Sequence, residues 1–388
     1  MTLSTADALI DVPAGLKGVA VTDTEIGDVR GGQGFYHYRQ YSATDLASKC
    51  GLEDVWRLMV DGALPSTLDE RSAFDAETRP LRALPHGLVD VLGRVAAFGG
   101  VSLGGLRSAV SLLAEADGMA PLWGADPAAR RRDLLRLVAV TPTLVAALWR
   151  LSQGRTPVEP DPDLGHAANY LYMLDGRRPD PVATRPVEQY LILTVDHGFN
   201  ASTFTARVIA STGADAGAAV TGALGALSGP LHGGAPSRAL EALEAIGDPA
   251  NAATWVRGAI ERGERIMGFG HAVYRGHDPR SLMLRDVAVG LGGDLVDFAV
   301  IVERAITDTL AELRPNRPLY TNVEYYAGVV MSSCGLAREL FTPTFAVSRV
   351  IGWCANIAEQ AQSRRIIRPS ARYVGPPAPQ PVPAPDLS

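Results

Sequence analysis

Apolar residues recur at helical spacing through most of this chain, and the alternation that marks strands is confined to its start. Between residues 45 and 61, Leu46, Leu52, Val55, Trp56 and Met59 lie near one side of a helical period, and Gly62 with Pro65 ends the run. Further helices are predicted at 86–99, 101–116, 133–152 and 187–197, from 201 onward, and at 252–266, 280–291 and 295–313. In the last of these Phe298, Val302, Ala305, Ile306 and Leu313 share a face, and Pro315 and Pro318 stop it. Pro343 opens one more long helix, which carries Arg349 near its start and Arg364-Arg365 near its end. The uncharged run 216–237, made largely of Ala, Gly, Ser and Thr, reads as a buried helix and lacks the apolar bulk of a membrane span. Residues 16–41, rich in Gly, Val, Thr and Tyr around Gly31-Gly32, predict short strands or a hairpin. Segments 66–86, 157–162 and 177–186 read as polar or proline-containing connections. Six prolines among the last fourteen residues, 375–388, predict a disordered or extended tail. The pattern as a whole is that of an all-α, mainly helical protein with one small β region.

Length changes the picture by division: 388 residues exceed the usual span of one core, so two domains are expected. A hydrophobic share of 47%, a charged share of 20% and a mean hydropathy of +0.07 fit a compact protein and exclude a disordered one. The net charge of -6 argues against a nucleic-acid partner, which would select a basic face, and no membrane association is expected. Cys50, Cys334 and Cys354 are odd in number and widely spaced, which predicts neither a disulfide framework nor a zinc site and fits a reducing cytoplasm. Residues 1–15 carry Asp7 and Asp11 and lack a basic start followed by an apolar core, so no secretory signal is expected.

The chemistry concentrates in a few glycine-rich bends. Gly268-Phe269-Gly270-His271 leads through Arg275 to Asp278-Pro279-Arg280, where Asp278 reads as a helix N-cap and Pro279 as the first helical residue. Arg280 in that first turn adds a guanidinium to the positive end of a helix dipole, which is a carboxylate site. His232 lies between turn formers in GPLHGGAP, and Asp196-His197 lies at a predicted helix end before Gly198. Thr321-Asn322-Val323-Glu324 matches a capping box, which would use Glu324 to close the first turn of a helix running to Cys334. There is no Walker A loop, no G-x-S-x-G elbow and no metal-ligand spacing of the usual kind.

In order along the chain, GLKGVAVTDTEIGDV, FYHYRQYSATDLA, DGALP, DHGFNAST, GPLHGGAP, GFGHAVYRGHDPR, NVEYYAG, FAVSR and RPSARYVG resemble the citrate synthase family, including its 2-methylcitrate synthase members. The resemblance spans about residues 15–375. It implies a two-domain helical dimer, with a large domain from 1–232 and 332–374 and a small one from 233–331. The active site would lie in the cleft between them. It also implies condensation of acetyl-CoA with oxaloacetate and hydrolysis of citryl-CoA, with no cofactor beyond the coenzyme A thioester. Propionyl-CoA is the alternative donor, and a non-catalytic relative that binds a dicarboxylate or acyl-CoA is the alternative from another class. By the resemblance His232 would stabilise the enol at its oxygen, His271 would polarise the ketone of oxaloacetate, and the residue at 324 would be the base. His197, Arg280 and Arg349 would hold substrate carboxylates, with Arg368 arriving from the partner subunit. Arg275 would meet a coenzyme A phosphate, and the main chain of Met267, Gly268 and Gly270 would hold the adenine. The family's usual base is an aspartate, and this chain has Glu324; it also has Gln40, Pro236 and Asn356 where glycine, asparagine and often histidine are usual.

Overall fold

The computed structural model describes residues 9–233, 236–316, 318–363 and 365–382. Strands β1 (Gly27–Arg30), β2 (Phe35–Tyr38) and β3 (Tyr41–Ser42) form one antiparallel sheet in the order β1-β2-β3, with Gly27 opposite Tyr38 and Arg30 opposite Phe35. This is the hairpin expected from residues 16–41. Tyr36 and Tyr38 alternate inward and are buried, and their hydroxyls donate to the carbonyls of Leu193 (3.0 Å) and Ile192 (2.9 Å). The small sheet is thereby fastened to the segment that leads to His197.

Everything else in regular structure is helical: α1 (Ala43–Lys49), α2 (Leu52–Asp61), α3 (Leu68–Thr78), α4 (Leu88–Gly99), α5 (Leu103–Ala116), α6 (Pro127–Ser152), α7 (His166–Asp175), α8 (Pro181–Leu193), α9 (Ala201–Ser211) and α10 (Ala216–Leu227). Beyond residue 235 follow α11 (Pro236–Ile246), α12 (Ala252–Glu261), α13 (Pro279–Leu291), α14 (Asp294–Leu313), α15 (Val323–Ser333) and α16 (Phe341–Gln360). The core forms around α6 and α16, which lie against each other and are buried along most of their lengths. α6 is long and apolar enough to cross a bilayer, yet 78% of its apolar stretch is covered by protein. Helices α11 to α15 pack chiefly on one another, α13 and α11 on α15 and α12 on α14.

Several boundaries differ from the sequence pattern, each for a local reason. The run 45–61 divides because Ser42 caps α1 and Gly51, whose amide donates to the Asp54 carboxylate, restarts the chain as α2. Residues 66–86 are not a bare connection, since Thr67 accepts from the Glu70 amide and starts α3. Asp180 caps α8 and Pro181 takes its first position, so 181–186 are helical although proline-rich, and Pro186 lies within the helix. The helix predicted to reach His197 ends at Leu193, and the one predicted over 252–266 ends at Glu261. Helices α7 and α11 have no counterpart in the pattern reading. Of the tail, 375–382 holds no helix or strand; 383–388, with Arg364, Gly234 and Ala235, lies outside the described residues.

Candidate active site

Six residues singled out from the sequence line one cleft of roughly 480 Å³: His197, His232, His271, Arg280, Glu324 and Arg349. They reach it from six separate elements or bends. His197 comes from the bend between α8 and α9, where α16 can approach closely only because residue 352 is glycine; a Cβ there would sit 2.2 Å from the Val195 carbonyl. Asp196 behind it accepts from the Gly198 amide at 3.0 Å and faces Asn356 on α16 at 3.4 Å. Burial lifts the Asp196 carboxyl to about 6, against the pull of Arg349. His197 Nε2 is paired with Tyr274 Oη at 2.9 Å, and burial pushes this imidazole well below its usual pKa.

His232 lies in a turn closed by its own amide on the Gly229 carbonyl. The Ser202 amide, in the first turn of α9, donates to His232 Nε2 at 3.3 Å. An amide can only donate, so Nε2 is the acceptor nitrogen and the neutral ring carries its proton on Nδ1. Burial, with help from Arg349, lowers the His232 pKa to about 4, so the ring is neutral near pH 7. His271 is oriented the opposite way: the amides of Val273 (3.0 Å) and Tyr274 (3.3 Å) donate to its Nδ1, which leaves the proton on Nε2. Burial and the neighbouring Arg280 bring its pKa to about 4 as well. Its Nε2 stands 3.2 Å from Arg280 Nη2, so the ring edge and a guanidinium lie side by side at the cleft, where an oxyanion or carboxylate can meet both.

Arg280 is fixed by Asp278, whose carboxylate takes Nε at 3.0 Å and Nη2 at 2.7 Å while also capping α13 through the Arg280 amide at 3.0 Å. Burial disfavours the Arg280 charge, but Asp278 outweighs it and holds the guanidinium firmly ionised. Arg280 Nη1 makes no hydrogen bond among the described residues. Arg349 donates Nε to the Thr194 carbonyl at 2.9 Å and lies over the Phe345 ring at 4.6 Å, which leaves its two terminal nitrogens for the cleft.

Glu324 departs from its predicted place in a capping box. Asn322, not Thr321, is the N-cap of α15: its Oδ1 accepts from the Glu324 amide at 3.0 Å, whereas Thr321 Oγ1 donates to Glu303 at 3.0 Å. That shift by one residue puts Glu324 at the second helical position, where its carboxylate cannot reach back to the cap, and the side chain is left to the cleft. Burial raises its carboxyl to about 7, with Arg280 opposing and Asp278 adding to the shift. A carboxyl poised there can exchange a proton near neutrality.

The remaining predicted residues lie elsewhere. Gly268 and Gly270 adopt φ of 83° and 81°, a left-handed geometry open to glycine at no steric cost. Their main chain is engaged within the protein: Gly268 O takes the Asn322 amide, Gly270 O takes Asn322 Nδ2, and the Gly270 amide donates to Tyr320 O, each at 2.8 Å. Met267 is half-buried beside them, and Arg275 and Arg368 are exposed and do not line the cleft. Tyr274, Asp278, Asn322 and Ser202 were not singled out as site residues, apart from Asp278 as a cap. Only the glycine-rich surroundings of Tyr274 and Asp278 gave a sequence signal; Ser202 and Asn322 act through contacts distant in the chain.

The comparisons with known proteins agree with this fold. Among solved structures, citrate synthase from Pyrobaculum aerophilum superposes with a TM-score of 0.85 at 35% identity, covering 99% of this chain and 98% of that one. Citrate synthase from Thermoplasma acidophilum, in a ternary complex with carboxymethyl coenzyme A and oxaloacetate, gives 0.88 at 28% identity over 96% of this chain and 98% of that one. A helical fold of this kind, around a cleft of neutral histidines, arginines and a poised carboxyl, is that of an acyltransferase. The sequence profile described as citrate synthase, C-terminal domain, matches residues 15–370, and the citrate synthase of Deinococcus radiodurans is 37% identical over 370 residues, 94% of this chain and 96% of that protein. The 2-methylcitrate synthase of Mycobacterium tuberculosis is 37% identical over 377 residues, 97% and 93% of the two chains. The chain belongs to the citrate synthase family.

Proposed function

We propose that this protein condenses acetyl-CoA with oxaloacetate and hydrolyses citryl-CoA to citrate and coenzyme A. The observation that carries the reading is the meeting of three differently prepared groups in one cleft: Glu324 with a carboxyl near 7, His232 with its proton on Nδ1, and His271 with its proton on Nε2. Glu324 takes a proton from the acyl methyl group, and His232 Nδ1–H holds the thioester oxygen as it becomes an enol. The enol carbon attacks the ketone of oxaloacetate, whose oxygen is held by His271 Nε2–H. Each of these contributions is worth ~10²-fold or more in rate. Arg280, Arg349 and His197 bind the carboxylates, and water then cleaves the thioester. In this reading Arg275 and the main chain of Met267, Gly268 and Gly270 serve coenzyme A, and no further cofactor is needed.

The same reading carries an architecture. Residues 233–331 act as a small domain that closes on the large one, supported by the mutual packing of α11 to α15. The enzyme works as a homodimer in which Arg368 completes the cleft of the other subunit, and it resides in the cytoplasm, in keeping with three cysteines that are all free.

A second donor has a specific observation behind it, because the 2-methylcitrate synthase and the citrate synthase above are equally similar to this chain at 37% identity. A single methylene discriminates by only ~1–3 kcal/mol. Thiol release with oxaloacetate, followed optically for acetyl-CoA and propionyl-CoA in parallel, decides: a higher kcat/KM for acetyl-CoA is expected. The opposite order makes the protein a 2-methylcitrate synthase, and no release from either makes it a non-catalytic binder.

A further inference from the structure

Tyr190 carries a hydroxyl for which the reaction above has no use. The residue lies on the last turn of α8, is 0% exposed and lines the cleft. Its Oη has no hydrogen-bond partner among the described residues. Other buried tyrosines are provided for: Tyr36 and Tyr38 donate to main-chain carbonyls, Tyr170 pairs with Thr344, Tyr325 donates to Ala299 O and Tyr326 to Glu303. An unpaired buried hydroxyl is costly where phenylalanine would fill the same space, and on a residue that lines the cleft it points to a partner that arrives from outside.

The surroundings say what kind of partner. Thr194, the C-cap of α8 one turn beyond Tyr190, uses its carbonyl to hold Arg349 Nε. Tyr190, Thr194 and Arg349 line the same cleft. Burial keeps the phenol protonated, and of the charges around it Arg349 acts most strongly, ahead of Glu324. The guanidinium could donate to the phenolic oxygen, but Tyr190 Oη makes no such bond among the described residues, so its O–H stays free to donate; side by side the two groups suit a shared anionic acceptor.

We propose that Tyr190 Oη donates a hydrogen bond to the same substrate carboxylate that Arg349 grips, which makes Tyr190 a specificity-determining residue for the dicarboxylate. The inference rests on the reading of Arg349 as a carboxylate ligand, and it adds a neutral donor to that charged contact. In Tyr190→Phe the ring stays and only the donor is lost.

Calorimetric titration of the full-length protein with oxaloacetate alone, without acyl-CoA, tests this independently of turnover. Tyr190→Phe is expected to weaken oxaloacetate binding about 10-fold, the usual scale for one hydrogen bond to a charged group. Its acyl-CoA KM and the pH profile of kcat stay as in the parent, and its thermal midpoint is equal or higher. Unchanged oxaloacetate affinity overturns the proposal, because the hydroxyl is then satisfied by solvent. A fall in kcat with a displaced pH profile at constant oxaloacetate affinity also overturns it, by assigning the hydroxyl to Glu324. If neither protein releases thiol from any acyl-CoA, yet Arg349→Ala and Tyr190→Phe both weaken oxaloacetate binding, the condensation reading fails and this one stands. If Arg349→Ala binds oxaloacetate as the parent does, the shared carboxylate site is lost and the inference falls with it.

Discussion

At the scale of single residues, Glu324 joins chemistry to stability in a way that can be measured. Its carboxyl moves from an ordinary 4.5 to about 7, so the folded protein holds this proton more tightly than the unfolded chain does. Stability from this group is therefore fullest at low pH and is lost as pH rises from about 4.5 through 7. With Glu324 as the proposed base, activity runs the other way, because a base works only when ionised: kcat is expected to rise with pH through an inflection near 7 and then level off. Glu324→Gln should lower kcat by at least ~10²-fold. Its thermal midpoint should exceed the parent's by more at pH 8 than at pH 5, measured by calorimetry at both; the reverse order would mean that the carboxyl is not held above its usual range. Asp278 is the second such residue, since it neutralises buried Arg280 and also accepts from the Val323 amide at 3.1 Å. Asp278→Asn leaves that guanidinium buried without its counter-charge and should cost ~3–5 kcal/mol in denaturant unfolding. In whatever fraction remains folded, the oxaloacetate KM should rise more than the acyl-CoA KM.

At the scale of elements, the start of α15 decides how much of the site could be read beforehand. The sequence shows a helix beginning near 322 and offers two caps one residue apart, Thr321 and Asn322. Local pattern favours Thr321, because threonine followed three residues later by glutamate completes a recognised box. The fold decides for Asn322, since its Nδ2 and amide are both taken by the Gly268–Gly270 loop and Thr321 is drawn to Glu303 on α14. Asn322 thus ties the carboxyl of Glu324 to the loop that carries His271. Asn322→Ala should cost ~1–2 kcal/mol of stability. It should also lower kcat beyond what that loss explains, because the proposed base and the proposed ketone polariser are no longer registered to each other. Asn322→Asp keeps the cap acceptor and loses the bond to Gly270 O, so stability should recover more than kcat does; equal recovery of both would reduce Asn322 to a cap alone. By contrast, the start of α13 was legible in full, because Asp278, Pro279 and Arg280 act within one turn of each other.

At the scale of the whole molecule, Arg368 is the residue a single chain leaves without a function. It is exposed beyond α16 and outside the cleft that Arg349 lines. If the subunits share their sites, mixing inactive Arg368→Ala with inactive His271→Ala chains should restore activity, since a mixed dimer regains one complete site. Mixed dimers verified by mass that remain inactive would place each site within one chain. The sequence by itself determined what depends on neighbours in the chain: helical periodicity, the glycine-rich bends, the cap at Asp278, and the types of group offered for chemistry. The tertiary structure decided what depends on groups far away in the chain. His232 carries its proton on Nδ1 because of an amide 30 residues earlier, and Glu324 reaches about 7 through burial among elements from across the chain. Tautomers and pKa values follow from local dielectric and hydrogen-bond partners, which only packing brings together.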